Sequence, residues 1–176
     1  MLKKILIVLL VAVLGLLGVA ATRPDSFRVE RSARIEAAPD KVFGLIQDLK
    51  QFNRWNPWLR KDPSTEGRYG NNSEGPGARY SWVSKEVGSG SMEITEVTAP
   101  SRMVMRLEFL EPMQTQSQAE FTLRPLAGGS TEVRWAMQGP APYISKLMGL
   151  LFDMDKLIGK DFEDGLAKLK ALAEQR

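Results

Sequence analysis

Apolar and polar residues follow three patterns along the chain, and the first is an uninterrupted apolar run. The run covers 17 residues, positions 5–21. As a helix it would span roughly 25 Å, near the lower limit for crossing a bilayer. Lys3 and Lys4 precede it, and Arg23 and Pro24 follow. The two lysines should keep the N-terminus on the cytoplasmic side, so we expect the remainder of the chain outside the cytoplasm.

The same run also has features of a cleaved signal peptide. Val19, Ala20 and Ala21 form a small-residue cleavage site, although the run exceeds the usual apolar core of about 7–15 residues. A buried helix is the third alternative. We predict a single-pass membrane protein with a hydrophobic signal anchor at 1–22 and a folded domain at 23–176. Secretion into the periplasm or medium after cleavage is the alternative.

The second pattern is an alternation of apolar and polar residues, which predicts β-strands. Phe27, Val29, Ala33 and Ile35 alternate in the first strand, and Arg31 interrupts their pattern. Six further stretches alternate, at 65–69, 78–84, 91–98, 103–109, 115–124 and 131–138. Glycine-rich turns separate several of them. Strands linked in this way predict one antiparallel sheet with one buried face.

The third pattern, with helical spacing, appears twice. Pro39 and Asp40 begin a helix with an apolar face, and a short helical turn covers 51–55 until Asn56-Pro57 ends it. The tail from Tyr143 to Arg176 is predicted as one helix. Its apolar stripe consists of Ile144, Leu147, Leu151, Ile158, Phe162, Leu166 and Leu169. The predicted fold is α+β, a curved antiparallel sheet of about six to seven strands wrapped around a long C-terminal helix.

Composition excludes most catalytic machinery. The 176 residues include no cysteine and no histidine. Disulfides, thiol nucleophiles and Ser-His-Asp or Cys-His catalysis are therefore ruled out. The most common transition-metal ligands are also missing, so we expect neither a metal ion nor another cofactor. Any enzyme would depend on Asp, Glu, Lys, Tyr or backbone groups.

The positive charge of the chain belongs largely to its N-terminus. The net charge is +3 and the pI is about 9.2. Without Lys3 and Lys4, 22 basic residues face 21 acidic ones. No cluster of basic residues with interleaved aromatics occurs, so nucleic-acid binding is not expected.

The predicted inner face of the sheet is rich in methionine and aromatic residues. This composition suits either a ligand cavity or plain core packing. The candidate ligand-binding residues of the sheet are Tyr80, Trp82, Met92, Met103, Met105, Phe109, Phe121, Trp135 and Met137.

Four further candidates lie on the predicted helices and their connections. Trp55 and Trp58 would gate a cavity mouth, touch a membrane interface, or act as a structural clamp. Leu151 and Asp155 lie on or beside the C-terminal stripe. Asp155 is the one weak catalytic candidate, as a cavity carboxylate with a raised pKa; the alternative is a helix-edge carboxylate in solvent or paired with a base. Asp62 and Glu108 are weaker candidates still.

Several short segments between residues 27 and 173 resemble a known family. They are Val29–Ser32, Ile35–Pro39, Val42-Phe43, Trp55–Trp58, Asp62-Pro63, Gly75–Ala78, Tyr80–Trp82, Met154–Gly159, Asp161–Glu163 and Gly165-Leu166. With them the chain resembles the polyketide cyclase/dehydrase-like branch of the START-like, birch-pollen-allergen-like superfamily. The resemblance implies a helix-grip fold, often with a ligand cavity. It carries over no catalytic residue, because the superfamily shares none.

Three functions are compatible with these patterns. The first is a membrane-tethered domain that binds a small hydrophobic or lipid-like ligand between the sheet and the C-terminal helix, with the membrane contacted through residues 5–21. The second is a cyclase- or hydrolase-type enzyme that uses cavity carboxylates. The third is a protein-interaction module.

Overall fold

The computed structural model of the protein describes residues 1–111 and 113–175. Its helices are α1 (Leu2–Ala21), α2 (Pro39–Gln47), α3 (Leu49–Phe52), α4 (Pro57–Lys61), α5 (Tyr143–Leu151) and α6 (Met154–Ala173). Its strands are β1 (Ser26–Ile35), β2 (Glu66–Tyr69), β3 (Arg79–Ser84), β4 (Gly88–Thr98), β5 (Arg102–Glu111), β6 (Thr115–Pro125) and β7 (Thr131–Pro140).

The strands form one antiparallel sheet with the order β1-β7-β6-β5-β4-β3-β2. The register places Met105, Ala119 and Met137 side by side, and all three are buried. Their polar neighbours in sequence point to the opposite face, because successive side chains in a strand alternate. The predicted sheet and the α+β helix-grip architecture are therefore confirmed.

Antiparallel pairing brings particular chain segments to the same end of the sheet. Ser26 pairs with Pro140, and the β5–β6 and β3–β4 turns follow at the same end. We call this the proximal end, because α1 stops only four residues before β1 begins. The β6–β7 turn lies at the opposite, distal end.

The helical segment after α2 differs from the prediction. The chain forms α3 and then a separate helix, α4. This second helix begins at Pro57, where the sequence predicted only that a helical turn ends. The side chain of Asn56 accepts a hydrogen bond from Trp58 N and caps α4, and Pro57 occupies its first turn. Pro lacks the N–H that a first-turn residue leaves unpaired, so Asn56-Pro57 ends one helix and starts the next.

The C-terminal segment is two helices, so the prediction of one continuous helix from Tyr143 is wrong. The break falls at Phe152-Asp153, where the Asp153 side chain caps α6 by accepting from Lys156 N. From Ile158 onward the predicted stripe packs on the inner face of the sheet, with Phe162, Leu166 and Leu169 buried. Arg176, the predicted end of the helix, lies outside the described residues.

The N-terminal helix α1 projects from the proximal end with its apolar side chains exposed. Among the described residues it is the one helix long and apolar enough to cross a membrane. It touches the folded domain through α5, where Tyr143 Oη donates to Leu17 O at 2.8 Å. Lys146 of α5 also pairs with Asp25, between α1 and β1.

Candidate ligand cavity

An apolar cavity of about 230 Å³ lies between the inner face of the sheet and helices α3, α4 and α6. Its wall consists almost entirely of aliphatic, aromatic and methionine side chains, and it includes no Asp, Glu, Lys or Arg among the described residues. The lining residues are Phe52, Asn56, Trp58, Leu59, Tyr80, Trp82, Val87, Met92, Met105, Leu107, Phe109, Ala119, Trp135, Met137 and Ile158.

The cavity has a buried floor and a half-buried rim. Met92, Met105, Ala119 and Trp135 are buried and come from the middle of the sheet. The rim is half-buried and is formed by Trp58, Leu59, Trp82, Val87, Phe109 and Ile158. Because Val87 lies in the β3–β4 turn and Phe109 near the end of β5, the mouth opens toward the proximal end.

Trp135 is the centre of the aromatic cluster that shapes the floor. Its ring stacks on Phe162 of α6 with centroids 4.1 Å apart and planes 5° apart. Trp55 and Trp58 meet it edge-on at 5.5 and 5.7 Å. Gly165 makes this approach possible, since a Cβ there would lie 2.8 Å from Trp135 Cζ3. Such contacts hold the indole in one orientation.

The two most deeply buried indoles differ in their hydrogen bonding. Nε1 of Trp55 donates to Leu45 O at 2.8 Å. Nε1 of Trp135 is buried and has no partner among the described residues. An unpaired buried N–H carries a desolvation cost.

The amide of Asn56 is already used within the protein. Its Nδ2 donates to Asn53 Oδ1 at 3.2 Å, and its Oδ1 accepts from Trp58 N at 3.2 Å. Asn56 therefore positions α4, and through α4 it places Trp58 and Leu59 at the rim.

Asp62 fixes the β3–β4 turn beside the mouth. Its carboxylate accepts from the Ser64 hydroxyl at 2.5 Å and from the Ser84 hydroxyl at 2.6 Å. These hydrogen bonds hold the pKa of Asp62 well below its usual range, and the bond from Ser64 has the larger effect. Ser84 Oγ in turn accepts from Val87 N at 3.1 Å, so the carboxylate anchors a rim residue. Asp62 does not line the cavity.

The predicted ligand-binding residues of the sheet and of Trp55–Trp58 divide into two groups. Eight line the cavity: Trp58, Tyr80, Trp82, Met92, Met105, Phe109, Trp135 and Met137. Trp55, Met103 and Phe121 are fully buried behind that lining as core residues. The period of a strand identifies its inner face but does not separate a cavity wall from packed core.

Leu151 and Asp155 lie outside the cavity, which corrects their predicted position. Leu151 is 72% exposed. The Asp155 side chain is 57% exposed and pairs with Arg31 Nη2 at 2.9 Å. The exposure of Leu151 and the ion pair of Asp155 both follow from the break before α6, because the start of that helix lies beside β1. Arg31, the residue that interrupts the first alternation, also binds Glu163 at 3.0 Å.

Glu108, the other weak candidate, lies on the outer face of the sheet, 3.4 Å from both Arg79 and Arg106. No group of three or more Asp or Glu side chains within the described residues is placed to hold a metal ion.

Sequence reasoning did not select seven of the lining residues. Leu107, Ala119 and Ile158 lie on faces that the periodicity had identified as apolar, so a signal for them was present. Phe52, Asn56, Leu59 and Val87 come from short helices and a turn, which are too short for a period to show. Their contribution depends on how these segments fold back on the sheet.

Comparisons with known proteins agree with this architecture. A family model described as polyketide cyclase / dehydrase and lipid transport matches residues 26–174. A comparison with curated proteins returned no match.

Solved structures with the same fold include a protein from Chromobacterium violaceum, with a TM-score of 0.60 and 16% identity over 87% of this chain and 100% of that chain. A protein from Thermobifida fusca has a TM-score of 0.60 and 20% identity over 81% of this chain and 90% of its own. Ara h 8.0201 has a TM-score of 0.56 and 12% identity over 84% of this chain and 97% of its own.

At identities of 12–20% the solved structures establish the fold alone. The family model matches almost the whole folded domain and therefore establishes the family. It confirms the resemblance drawn from the sequence, and a ligand-binding domain is the general function that this family supports. The chain belongs to the polyketide cyclase/dehydrase and lipid transport family.

Proposed function

We propose that the protein is a membrane-tethered domain that binds a small hydrophobic or lipid-like ligand in the cavity between the sheet and α6. The observation that carries this proposal is the cavity itself, which is apolar on nearly every side and has a mouth. Apolar concave sites with few polar groups are the usual form of small-molecule pockets.

The volume limits the size of the ligand. A cavity of about 150 Å³ accommodates benzene, and this cavity is about half again as large. It suits a bicyclic ring or a short acyl segment, so that a longer lipid would keep part of its chain outside the mouth.

The unpaired Nε1 of Trp135 defines the polar part of the ligand. This N–H belongs to a lining residue and has no acceptor within the described residues. A ligand with a carbonyl or hydroxyl oxygen at that position would remove the cost of the unpaired donor, about 1–3 kcal/mol. The proposed ligand is therefore mostly apolar with one hydrogen-bond acceptor.

Tethering through α1 supports a ligand drawn from the membrane. The helix has the length and apolar character of a span, and its basic N-terminal flank favours a domain outside the cytoplasm. A tether raises the effective concentration of the cavity at the bilayer surface.

The enzyme alternative has no carboxylate to act with, because none lines the cavity in the described part of the chain and Asp155 lies outside it. No specific observation favours a partner protein on the sheet surface.

The test is a pair of isosteric probes added to the full chain in detergent micelles. Indane and 1-indanone differ in one carbonyl oxygen, and we expect both to bind, with indanone tighter by about tenfold, the equivalent of one hydrogen bond. Ala119→Leu fills the floor and should abolish binding of both probes. Native mass spectrometry of the purified chain should also show a retained apolar molecule. Absence of binding by both probes, with no retained molecule, would contradict the proposal.

Trp135→Phe separates the hydrogen bond from the cavity. The variant keeps an aromatic ring but lacks the N–H, so indanone should lose its advantage while indane binding changes little. Trp58→Phe at the rim is the matched control and should preserve the advantage. In the wild-type chain, the indole ¹⁵N–¹H signal of Trp135 should move much further downfield with indanone than with indane, because a hydrogen bond deshields the proton.

A further inference from the structure

Exposed large apolar side chains outside α1 are concentrated in one region of the folded domain. Among the described residues that follow α1 there are eleven, and all except Tyr69 lie at the proximal end, in α5, or at the junction of α5 with α6. Val83, Leu110 and Met113 are three of them, at the ends of β3 and β5 and in the β5–β6 turn. A concentration of exposed apolar side chains in one region marks a candidate interaction site.

Helix α5 contributes much of this surface and has no buried residue of its own. Ile144, Met148 and Leu151 follow each other at spacings of four and three, so they share one helical face, and all three are exposed. Met154 and Leu157 extend the apolar surface into α6. No element of the described domain covers this face.

The position of α5 relative to α1 indicates what covers the face. Tyr143 Oη donates to Leu17 O, and Leu17 lies about one turn before α1 ends at Ala21. The contact therefore places α5 at the level of the last turn of α1. In a tethered chain this is the boundary between hydrocarbon and headgroups. Amphipathic helices lie in that plane with their apolar face buried.

We propose that the proximal end docks on the bilayer, with α5 in the membrane interface and the cavity mouth facing the lipid. This inference rests on the membrane tether proposed above. Val87 and Phe109 of the rim belong to the same end as Val83 and Leu110, and Ile158 follows Leu157 directly. A ligand would therefore exchange with the bilayer without crossing open water.

The charges of the docking surface have both signs. Lys85 and Glu86 adjoin in the β3–β4 turn, and Asp153 pairs with Lys156 at the start of α6. Apolar burial, rather than attraction to anionic lipid, must then drive the contact. Docking should be the same on neutral and anionic membranes and should change little with salt.

The experiment uses the full chain in phosphatidylcholine nanodiscs. Because the chain has no cysteine, Leu110→Cys, Leu151→Cys and Leu157→Cys each provide one thiol for an environment-sensitive fluorophore. We expect blue-shifted emission at all three positions and quenching by nitroxide-labelled lipid, consistent with burial of roughly 5–10 Å into the interface. Ala127→Cys is the matched control, since its turn is separated from the proximal end by the length of β7, about 30 Å.

A label at Leu10→Cys distinguishes failure of docking from failure of the tether. If the Leu10 label is quenched from within the bilayer while the Leu110 and Leu151 labels remain as water-exposed as the Ala127 label, docking is refuted and the tether survives. If the Leu10 label is also exposed to water, tether and docking both fail. Shielding of the Leu151 label without lipid quenching indicates a contact between copies of the chain and also overturns the proposal.

Discussion

Gly165 allows a direct test of how tightly α6 packs on the cavity floor. In Gly165→Ala the new Cβ would lie 2.8 Å from Trp135 Cζ3 and 3.2 Å from Pro57 Cδ. Carbon atoms pack at about 3.5–4.0 Å, so the indole must move by at least about 0.7 Å. Phe162 stacks on one face of that ring and Trp55 meets it edge-on, so little free space is available.

The expected loss of stability has two opposing parts. Overpacking a core costs about 1–3 kcal/mol, and replacing glycine by alanine inside a helix returns up to about 1 kcal/mol. Gly44→Ala in α2 should show only the gain in helix stability, because nothing lies within 4 Å of its added Cβ. The difference between the two variants should therefore be about 1–3 kcal/mol, with Gly44→Ala the more stable protein.

The assay is urea unfolding of the full chain in detergent micelles, followed by tryptophan fluorescence. Equal slopes with shifted midpoints would show that the folded state, rather than the compactness of the denatured state, has changed. In Gly165→Ala the displaced indole should also weaken indanone binding. If both variants shift the midpoint in the same direction and by the same amount, α6 does not pack as tightly on Trp135 as the structure indicates.

Three further variants test individual contacts. The pKa of Asp62 is lowered in the folded protein, so the ionised carboxylate stabilises the protein above about pH 4. The free energy of unfolding of wild type and Asp62→Asn should be compared from pH 2 to 6. The difference between them should shrink as the pH falls below about 4. Gly159→Ala would place a Cβ in the space that the Arg31 guanidinium occupies. It should lower the thermal midpoint of the wild type and raise that of Arg31→Ala. Trp55→Phe leaves the Leu45 carbonyl without its indole donor and should cost about 1–3 kcal/mol in urea unfolding, more than Trp135→Phe.

Each of these expectations has a result that would contradict it. A pH-independent difference for Asp62→Asn would mean that the hydroxyl contacts do not favour the carboxylate. Gly159→Ala with the same sign in both backgrounds would mean that the guanidinium does not occupy the space beside α6. Equal losses for Trp55→Phe and Trp135→Phe would mean that the Trp135 N–H is not the unpaired one.

The sheet and its buried face could be predicted from the sequence because strand periodicity and one-sided burial are local properties. Val133 and Trp135 alternate with the polar Glu132 and Arg134 wherever the strand is placed, and pairing with neighbours only fixes which strands meet. Composition likewise excluded thiol and histidine chemistry without any coordinates. The apolar run at residues 5–21 likewise identified a candidate membrane span, because its length and composition are local properties of the chain.

The tertiary structure decided which apolar residues have a partner. Ile144 and Leu151 have the same helical spacing as Leu166, yet Leu166 packs on the sheet while the other two remain exposed. Spacing defines a face but not the surface that meets it, and that surface ends where Asp153 starts a new helix. The unpaired N–H of Trp135 and the open volume beside it depend on atoms from β-strands and helices far apart in sequence, so only their packing could reveal a cavity.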